Sequence, residues 1–369
     1  MRMLKKLFVA AAAVATVTAV GVGPALADPP KGVTPKETDV VGVGSDTLEF
    51  VMDQFSFDFN KSHKGTKLYS WDALNPVTGL TDNIVTKSGC AAIPRPDGSS
   101  AGISTLILNT KTADGTAFCV DYARSSRPRA STDPAFGAGG ISFVALGTDG
   151  VTWATNSTTN APNNLTTTQL AGIYSCTITN WNQVGGSNGA INAQLPQTSS
   201  GTRKFFLTAI GVTTPGSCVN STAQENEGID PVLAGPNTIF PFSIGKYIAE
   251  KFHSAKCLNS TCTGNPACKP TSAQNRFGCD AHGSMVLEHI NGTVPTTGTG
   301  GKTVINKSFS PAFLRTIFNV VRWASTADNI PSYLDKFFGA KGWICTSSAA
   351  KTDLVHYGFL ATPFCGTAS

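Results

Sequence analysis

Three times along this chain a short turn of glycine and hydroxyl residues runs into an apolar stretch with helical spacing, and that recurrence restricts the fold more than any other feature. The first joint follows a β-branched run. Asp39–Val43 reads as a strand that passes through Gly44-Ser45-Asp46-Thr47 into Leu48, Val51, Met52, Phe55 and Phe59, whose spacings of three and four make one apolar helical face. The second is Gly98-Ser99-Ser100-Ala101-Gly102 before Ile103, Leu106 and Ile107. The third is Gln197-Thr198-Ser199-Ser200-Gly201-Thr202 before Phe205, Phe206, Leu207 and Ile210. Helical patterns at Thr167–Tyr174, Ser243–Phe252 and Asn329–Phe338, the last with Gly339 as its C-cap, alternate with short β runs at Ile141–Leu146 and Thr303–Ile305. Strands alternating with helices predict an α/β architecture, and the absence of a repeating period argues against a solenoid.

The N-terminus reads as an export signal: Arg2, Lys5 and Lys6, an apolar run from Leu7 to about Val22, then Ala25-Leu26-Ala27 ahead of Asp28-Pro29-Pro30. The run is short for a membrane span and Pro24 follows it, so cleavage after residue 27 and release are expected; no cysteine near that point offers a lipid anchor. Residues 28–38 are polar and proline-rich and read as a flexible leader. Removing the signal leaves 342 of the 369 residues and +2 of the formal +5 charge. That length suits two domains, and that charge gives no electrostatic case for nucleic acid or anionic membrane. No later segment is apolar enough to span a bilayer. All ten cysteines lie in the exported part, where an even count favours disulfides; the spacing of Cys257, Cys262, Cys268 and Cys279 does not suit zinc. Connectivity stays open, with Cys90–Cys119 and Cys345–Cys365 as the local pairings to expect.

A Ser or Thr before a helix is ordinarily an N-cap worth ~1 kcal/mol. Several such helix starts facing one cleft do more. Unpaired backbone N–H groups and the positive dipole end attract an anion, glycine lets backbone approach it, and hydroxyls donate or accept. That is anion recognition without a large net charge.

The order of motifs resembles the phosphate-binding component of bacterial phosphate ABC importers, in the type II periplasmic-binding-protein class. The family's strand–Gly-x-Gly-x-Thr–helix start is similar to Gly42-Val43-Gly44-Ser45-Asp46-Thr47, and its Gly-Ser-Ser-Gly-Gly turn to Gly98–Gly102. Its Asp-Phe-Gly-Ala-Ser-Asp-x-Pro segment resembles Asp121-Tyr122-Ala123-Arg124-Ser125-Ser126-Arg127-Pro128. Its Leu-x-x-Ile-Tyr-x-Gly-x-Ile-x-x-Trp signature resembles Leu170–Trp181, and its Ser-Gly-Thr helix start resembles Ser200-Gly201-Thr202. The likeness covers about residues 39–250. It implies two α/β lobes hinged about an interlobe cleft, at about 39–145 plus 300–369 and about 146–299. Inorganic phosphate or a similar oxyanion would be held by Ser45, Asp46, Thr47, Ser99, Ser100 and Ser125 on one wall and by Ser200, Gly201 and Thr202 on the other. The resemblance further implies a monomer without cofactor, serving an ABC permease. Two positions depart from the family pattern. Ser126 stands where the family has the aspartate that accepts phosphate's proton, and Asp46 could supply that acceptor. The family arginine before Ser-Gly-Thr is replaced by Pro196-Gln197-Thr198, so Arg124, Arg127 or Arg203 would have to bring a guanidinium.

Two rival readings compete. A hydrolase would need a constellation the sequence lacks: there is no nucleophile elbow and no His pair, which leaves His282 beside Ser284, or Glu225 with Glu227, as the places to look. A secreted adhesion module of the same fold would use exposed aromatics such as Tyr69, Trp71 and Trp153.

Overall fold

The computed structural model describes residues 28–369 apart from Lys31, Val77, 255–276 and Cys279. The signal segment and Cys257, Cys262, Cys268 and Cys279 lie outside the described residues.

A nine-stranded sheet is built from β1 (Val40–Gly44), β2 (Leu68–Ser70), β3 (Tyr122–Ser125), β4 (Ile141–Asn156), β5 (Asn192–Pro196), β6 (Asn220–Ala223), β7 (Thr238–Ser243), β8 (Met285–Leu287) and β9 (Leu314–Arg322). Its order is β2-β1-β3-β9-β4-β7-β5-β6, with β8 also paired to β4. β1 runs parallel to β2 and β3 and is buried along its whole length, as a strand covered on both faces must be. The helices are α1 (Glu49–Ser62), α2 (Ser99–Ile107), α3 (Thr167–Tyr174), α4 (Gly201–Ala209), α5 (Ile244–Ile248), α6 (Ser332–Phe338), α7 (Trp343–Thr346) and α8 (Ser348–His356).

The fold is α/β and two-lobed, and β4 is the reason both lobes share one sheet. The predicted run Ile141–Leu146 is only the start of a 16-residue strand. Its first part pairs antiparallel with β9, and Val151–Ala154 pair antiparallel with β7. One side packs α1, α6, α7 and α8 around Val40, Phe55, Tyr122, Ile317 and Phe337, with a smaller cluster at Val43, Ile103 and Phe143. The other packs Trp153, Leu170, Tyr174, Trp181, Phe206 and Phe240, joined by Ile305, Phe309 and Phe313. The apolar face read from α1 is this core contact: Phe59 lies 4.7 Å from Phe337 and 5.7 Å from Trp343 between ring centroids.

Several expectations change. α6 begins at Ser332, not Asn329, because Pro331 disfavours helical backbone at the residue before it. Gly339 follows with φ −66°, so it is not a left-handed cap. The helix read at Ser243–Phe252 is α5, capped by the Ser243 hydroxyl, opening into a wider turn over Ala249–His253. Thr303–Ile305 shortens to Val304–Ile305 paired with Thr296–Thr297. Trp153 is no surface aromatic: it is fully buried and stacks on Trp181 at 6.3 Å. The disulfides Cys90–Cys119 and Cys345–Cys365 are present, and Cys176–Cys218 joins the end of α3 to the loop beyond α4. Among the described residues no helix is long and apolar enough to cross a membrane.

Gly42 shows how tightly the first joint is built. A Cβ there would lie 2.0 Å from Cζ of Tyr122. That ring cannot move aside, because its hydroxyl donates to the Tyr69 carbonyl (3.0 Å) and its face meets Phe338. Gly42→Ala should therefore destabilise the protein by about 1–3 kcal/mol through overpacking, seen as a lower denaturant midpoint at unchanged slope.

Candidate functional site

The first and second joints meet the third. The Ser45 hydroxyl donates to Ser126 Oγ (3.1 Å), Ser99 Oγ lies 3.2 Å from Ser126 Oγ, and the Ser126 N–H donates to Ser99 Oγ (3.0 Å). α4 starts against this hydroxyl cluster, and its first residue has to be glycine: a Cβ on Gly201 would fall 2.3 Å from both Ser99 Oγ and Ser126 Oγ. Ser45, Ser99 and Ser126 are fully buried.

Beside it, Thr47 and Thr202 face each other with hydroxyl oxygens 3.4 Å apart. Both serve a carboxylate. Glu225 Oε1 accepts from the Thr202 N–H at the first turn of α4 (3.0 Å) and from Thr47 Oγ1 (3.2 Å). The Arg315 guanidinium closes the group, with Nη2 donating to Thr202 Oγ1 (2.9 Å) and its plane over Phe205 at 5.5 Å. Arg315 Nε and Nη2 also donate to Asp149 Oδ2 at 3.0 and 2.7 Å, across the β9–β4 ladder where the two residues stand opposite each other. Asp149 is satisfied further by Ser243 Oγ and the Gly245 N–H. Two buried atoms remain without a hydrogen bond: Nη1 of Arg315 and Oε2 of Glu225.

Asp46 turns the other way. Its Oδ1 accepts from Asn226 Nδ2 (2.7 Å) and its Oδ2 faces Lys246 Nζ (3.4 Å), so both oxygens are turned toward groups of the protein. Lys246 also pairs with Glu49 (3.1 Å) and lies over the Phe50 ring. Burial opposes the lysine's charge, but Asp46, Glu49, Glu250 and Glu227 together hold its pKa above the usual value.

The other predicted residues separate by role. Arg124 spends its guanidinium on the Gly44, Ser45 and Trp71 carbonyls and on Ser70 Oγ, and so clamps the first turn. Arg127 pairs with Asp133 and donates to Ser100 Oγ, which Lys204 also reaches from α4. Arg203 binds the Pro196 carbonyl and Ser221 Oγ, away from Thr202's partners. Ser125 Oγ donates to the Arg127 carbonyl, and Ser200 is the N-cap of α4. The guanidinium sought near Ser-Gly-Thr therefore comes from Arg315, some hundred residues later. Its one sequence signal is a charge inside the apolar run of β9, as Asp149 is inside β4. The hydrolase constellations do not form: the Ser284 hydroxyl donates to Asn156, and Glu225 is occupied by Thr47 and Thr202.

A sequence profile described as "PBP superfamily domain" matches residues 29–281. The chain belongs to the PBP superfamily. Among solved structures it is similar to an ABC-type phosphate transport receptor from Vibrio cholerae, at 20% identity over 88% of this chain and 100% of that one, with a TM-score of 0.53. It is also similar to a putative phosphate ABC transporter substrate-binding protein with bound phosphate from Clostridium perfringens, at 16% identity over 88% and 99%, with a TM-score of 0.55. At these identities the likeness establishes the two-lobed fold of this superfamily of solute-binding proteins. No curated protein matches the sequence.

Asp97 is a carboxylate at the seam between the lobes, accepting from Gln197 Nε2 (2.7 Å) and Gln224 Nε2 (3.1 Å). Burial raises its pKa from 3.8 to about 6, against the two glutamine bonds. A folded-state pKa above the unfolded one means the fold holds the proton more tightly. Stability is then greatest below the unfolded value and declines as pH rises through the folded one. Asp97→Asn keeps an acceptor for the glutamines and removes the buried charge. Its melting temperature should exceed wild type by a few degrees at pH 7, with the difference gone below about pH 4.

Proposed function

We propose that this protein captures a small oxyanion, inorganic phosphate first, in the cleft at Thr47, Thr202 and Arg315, as the extracellular receptor of an ABC permease or as a released scavenger. The observation that carries this reading is Glu225. A carboxylate, itself an oxyanion, is received there by the first-turn N–H of α4 and the Thr47 hydroxyl, beside a buried guanidinium N–H with no partner. Helix N-termini and fixed hydroxyls are suited to that charge without any basic surface. Phosphate is the ligand named for both neighbouring structures, and one of them holds it.

In this reading the two cores are the lobes placed at 39–145 plus 300–369 and at 146–299, with Ile305–Phe313 carried by the second core, and β4 and β9 crossing between them. The chain works outside the cell after signal cleavage, as a monomer and without catalysis or cofactor. Glu225 stands where the ligand's oxygens would be received, so an entering oxyanion displaces it. Closure of the lobes then strengthens each hydrogen bond by excluding water.

Calorimetry with phosphate, arsenate and sulfate on the mature chain tests this. Thr47→Ala and Thr202→Ala should each weaken phosphate binding by about 10–100-fold, the loss expected for a hydrogen bond to a charged group. Glu225→Ala should bind it more tightly than wild type, because the internal competitor is gone. Equal sulfate binding would keep the site and change its ligand, consistent with Ser126 in place of a carboxylate. If neither wild type nor Glu225→Ala binds any of the three anions, the reading fails.

A further inference from the structure

We propose that a second site, a basic groove across the seam of the lobes, takes a small amphiphilic carboxylate: an anionic head on a short hydrocarbon body. The groove has a volume of about 620 Å³. It is lined from the first lobe by the run from Arg127 to Ala130, and from the second by Lys204, Phe205 and Leu207 of α4 and Val212 beyond it. Neither Thr47, Thr202, Arg315 nor Glu225 lines it. The two sites touch through Phe205, whose ring lies 5.5 Å from the Arg315 guanidinium.

Two cations meet there on one neutral oxygen. Arg127 Nε from the first lobe (3.0 Å) and Lys204 Nζ from the second (2.8 Å) both donate to Ser100 Oγ, so like charges converge with no anion between them. The other groups nearby do not supply one to the lysine. Asp133 is held by both Nη atoms of Arg127, at 2.6 and 3.0 Å, and accepts the Ala130 N–H as well. Arg129 donates to the Pro134 and Ile141 carbonyls and to Ser369 O, and Arg203 to the Pro196 carbonyl and Ser221 Oγ. Among the described residues Lys204 has no carboxylate partner, and no aspartate or glutamate lines the groove. Burial and then the Arg127 charge lower the Lys204 pKa, with Asp133 offsetting only part, as expected of a cation short of anions.

An ammonium has three N–H donors, and Lys204 gives one to Ser100, which leaves two for an anionic head. An exposed ion pair by itself contributes little, ~0–1 kcal/mol, so the head alone would bind weakly. The rest of the wall supplies the remainder. It is hydrocarbon on both sides of the seam, Pro128 and Ala130 facing Phe205, Leu207 and Val212, and covering apolar surface contributes ~25 cal/mol per Å². The volume falls within the ~300–1,000 Å³ usual for pockets that take small molecules. An alkyl chain would lie along this wall with its carboxylate at Lys204, in contact with both lobes at once.

The test is calorimetry of the mature chain at pH 7 and low salt with octanoate below its micellar range. Acetate serves as the head without the body, and octylammonium as the same body with the opposite charge. Octanoate should bind saturably, and each control at least about tenfold more weakly. Lys204→Gln should lower the octanoate affinity about tenfold, the loss expected for a hydrogen-bonded charge, while Lys204→Arg keeps it. Thr208→Glu, which sets a carboxylate on the exposed wall of the groove, should lower it to a similar degree. Lys204 and Thr208 are both exposed, so these variants fold, and an unchanged melting temperature checks that they do. No saturable binding of octanoate, a control that binds as tightly, or octanoate affinity unchanged in Lys204→Gln would overturn the proposal. Thr202→Ala removes a donor of the oxyanion cradle and should leave octanoate binding unchanged, so the two readings stand or fall separately.

Discussion

The pairing of Arg315 with Asp149 is the contact on which the rest of the cleft depends. Both groups are buried on the strands that join the lobes, Asp149 mid-way along β4 and Arg315 near the start of β9, directly opposite each other in the ladder. Desolvating two charges is costly, and it is tolerable here because almost every lone pair is used: Ser243 Oγ and the Gly245 N–H complete Asp149, and Thr202 Oγ1 takes one arm of the arginine. Removing one partner would strand the other charge in the hinge, a loss of roughly 3–5 kcal/mol in such settings. The same carboxylate thereby fixes the start of α5, and the same guanidinium fixes the first turn of α4. Whatever α4 presents to the opposite lobe is set by strands that belong to both.

From that anchor the first lobe is met by short, neutral groups. Gly201 sits on the Ser99 and Ser126 hydroxyls, Ser100 N–H donates to the Ser199 carbonyl, and Gln197 and Gln224 reach across to Asp97. These contacts hold the lobes together. Glu225 belongs to the same set, since its carboxylate links Thr47 of one lobe to Thr202 of the other. On the proposed reading an external oxyanion would bind by exchange with this carboxylate, so its affinity would reflect the difference between two oxyanions in one cradle and not the full strength of the cradle.

Much of this was legible in the residues, and what escaped did so for one reason. Periodicity over Leu48–Phe59 and Thr167–Tyr174 marked α1 and α3, and the glycine-hydroxyl turns marked the joints that converge. The Leu170–Trp181 signature proves to be core: Leu170, Ile173, Tyr174 and Trp181 are all fully buried, so its specificity lies in packing. Partners distant in sequence stayed hidden. Arg315 meets Thr202 across 113 residues and Asp149 across 166, and its one local signal, a charge within an apolar run, names neither partner. Glu225 looked like half of an acid–base pair because Glu227 is two residues on, yet left-handed backbone at Asn226 (φ 57°) lies between them and Glu225 is taken up by Thr47 and Thr202.

The electrostatics of the cleft are divided by a single turn. On one side of Asp46-Thr47 stand Thr47, Thr202 and Arg315; on the other, Lys246 is outnumbered by Asp46, Glu49, Glu227 and Glu250. Both Lys246 and Arg315 are already paired with carboxylates of the protein. On the proposed reading, oxyanion binding would rest on short-range donors that act once water is excluded: the α4 N–H, two threonine hydroxyls and one guanidinium arm. Such a site rewards shape and hydrogen-bond count over charge, and it is far less sensitive to salt than a basic patch would be, because buried contacts are poorly screened.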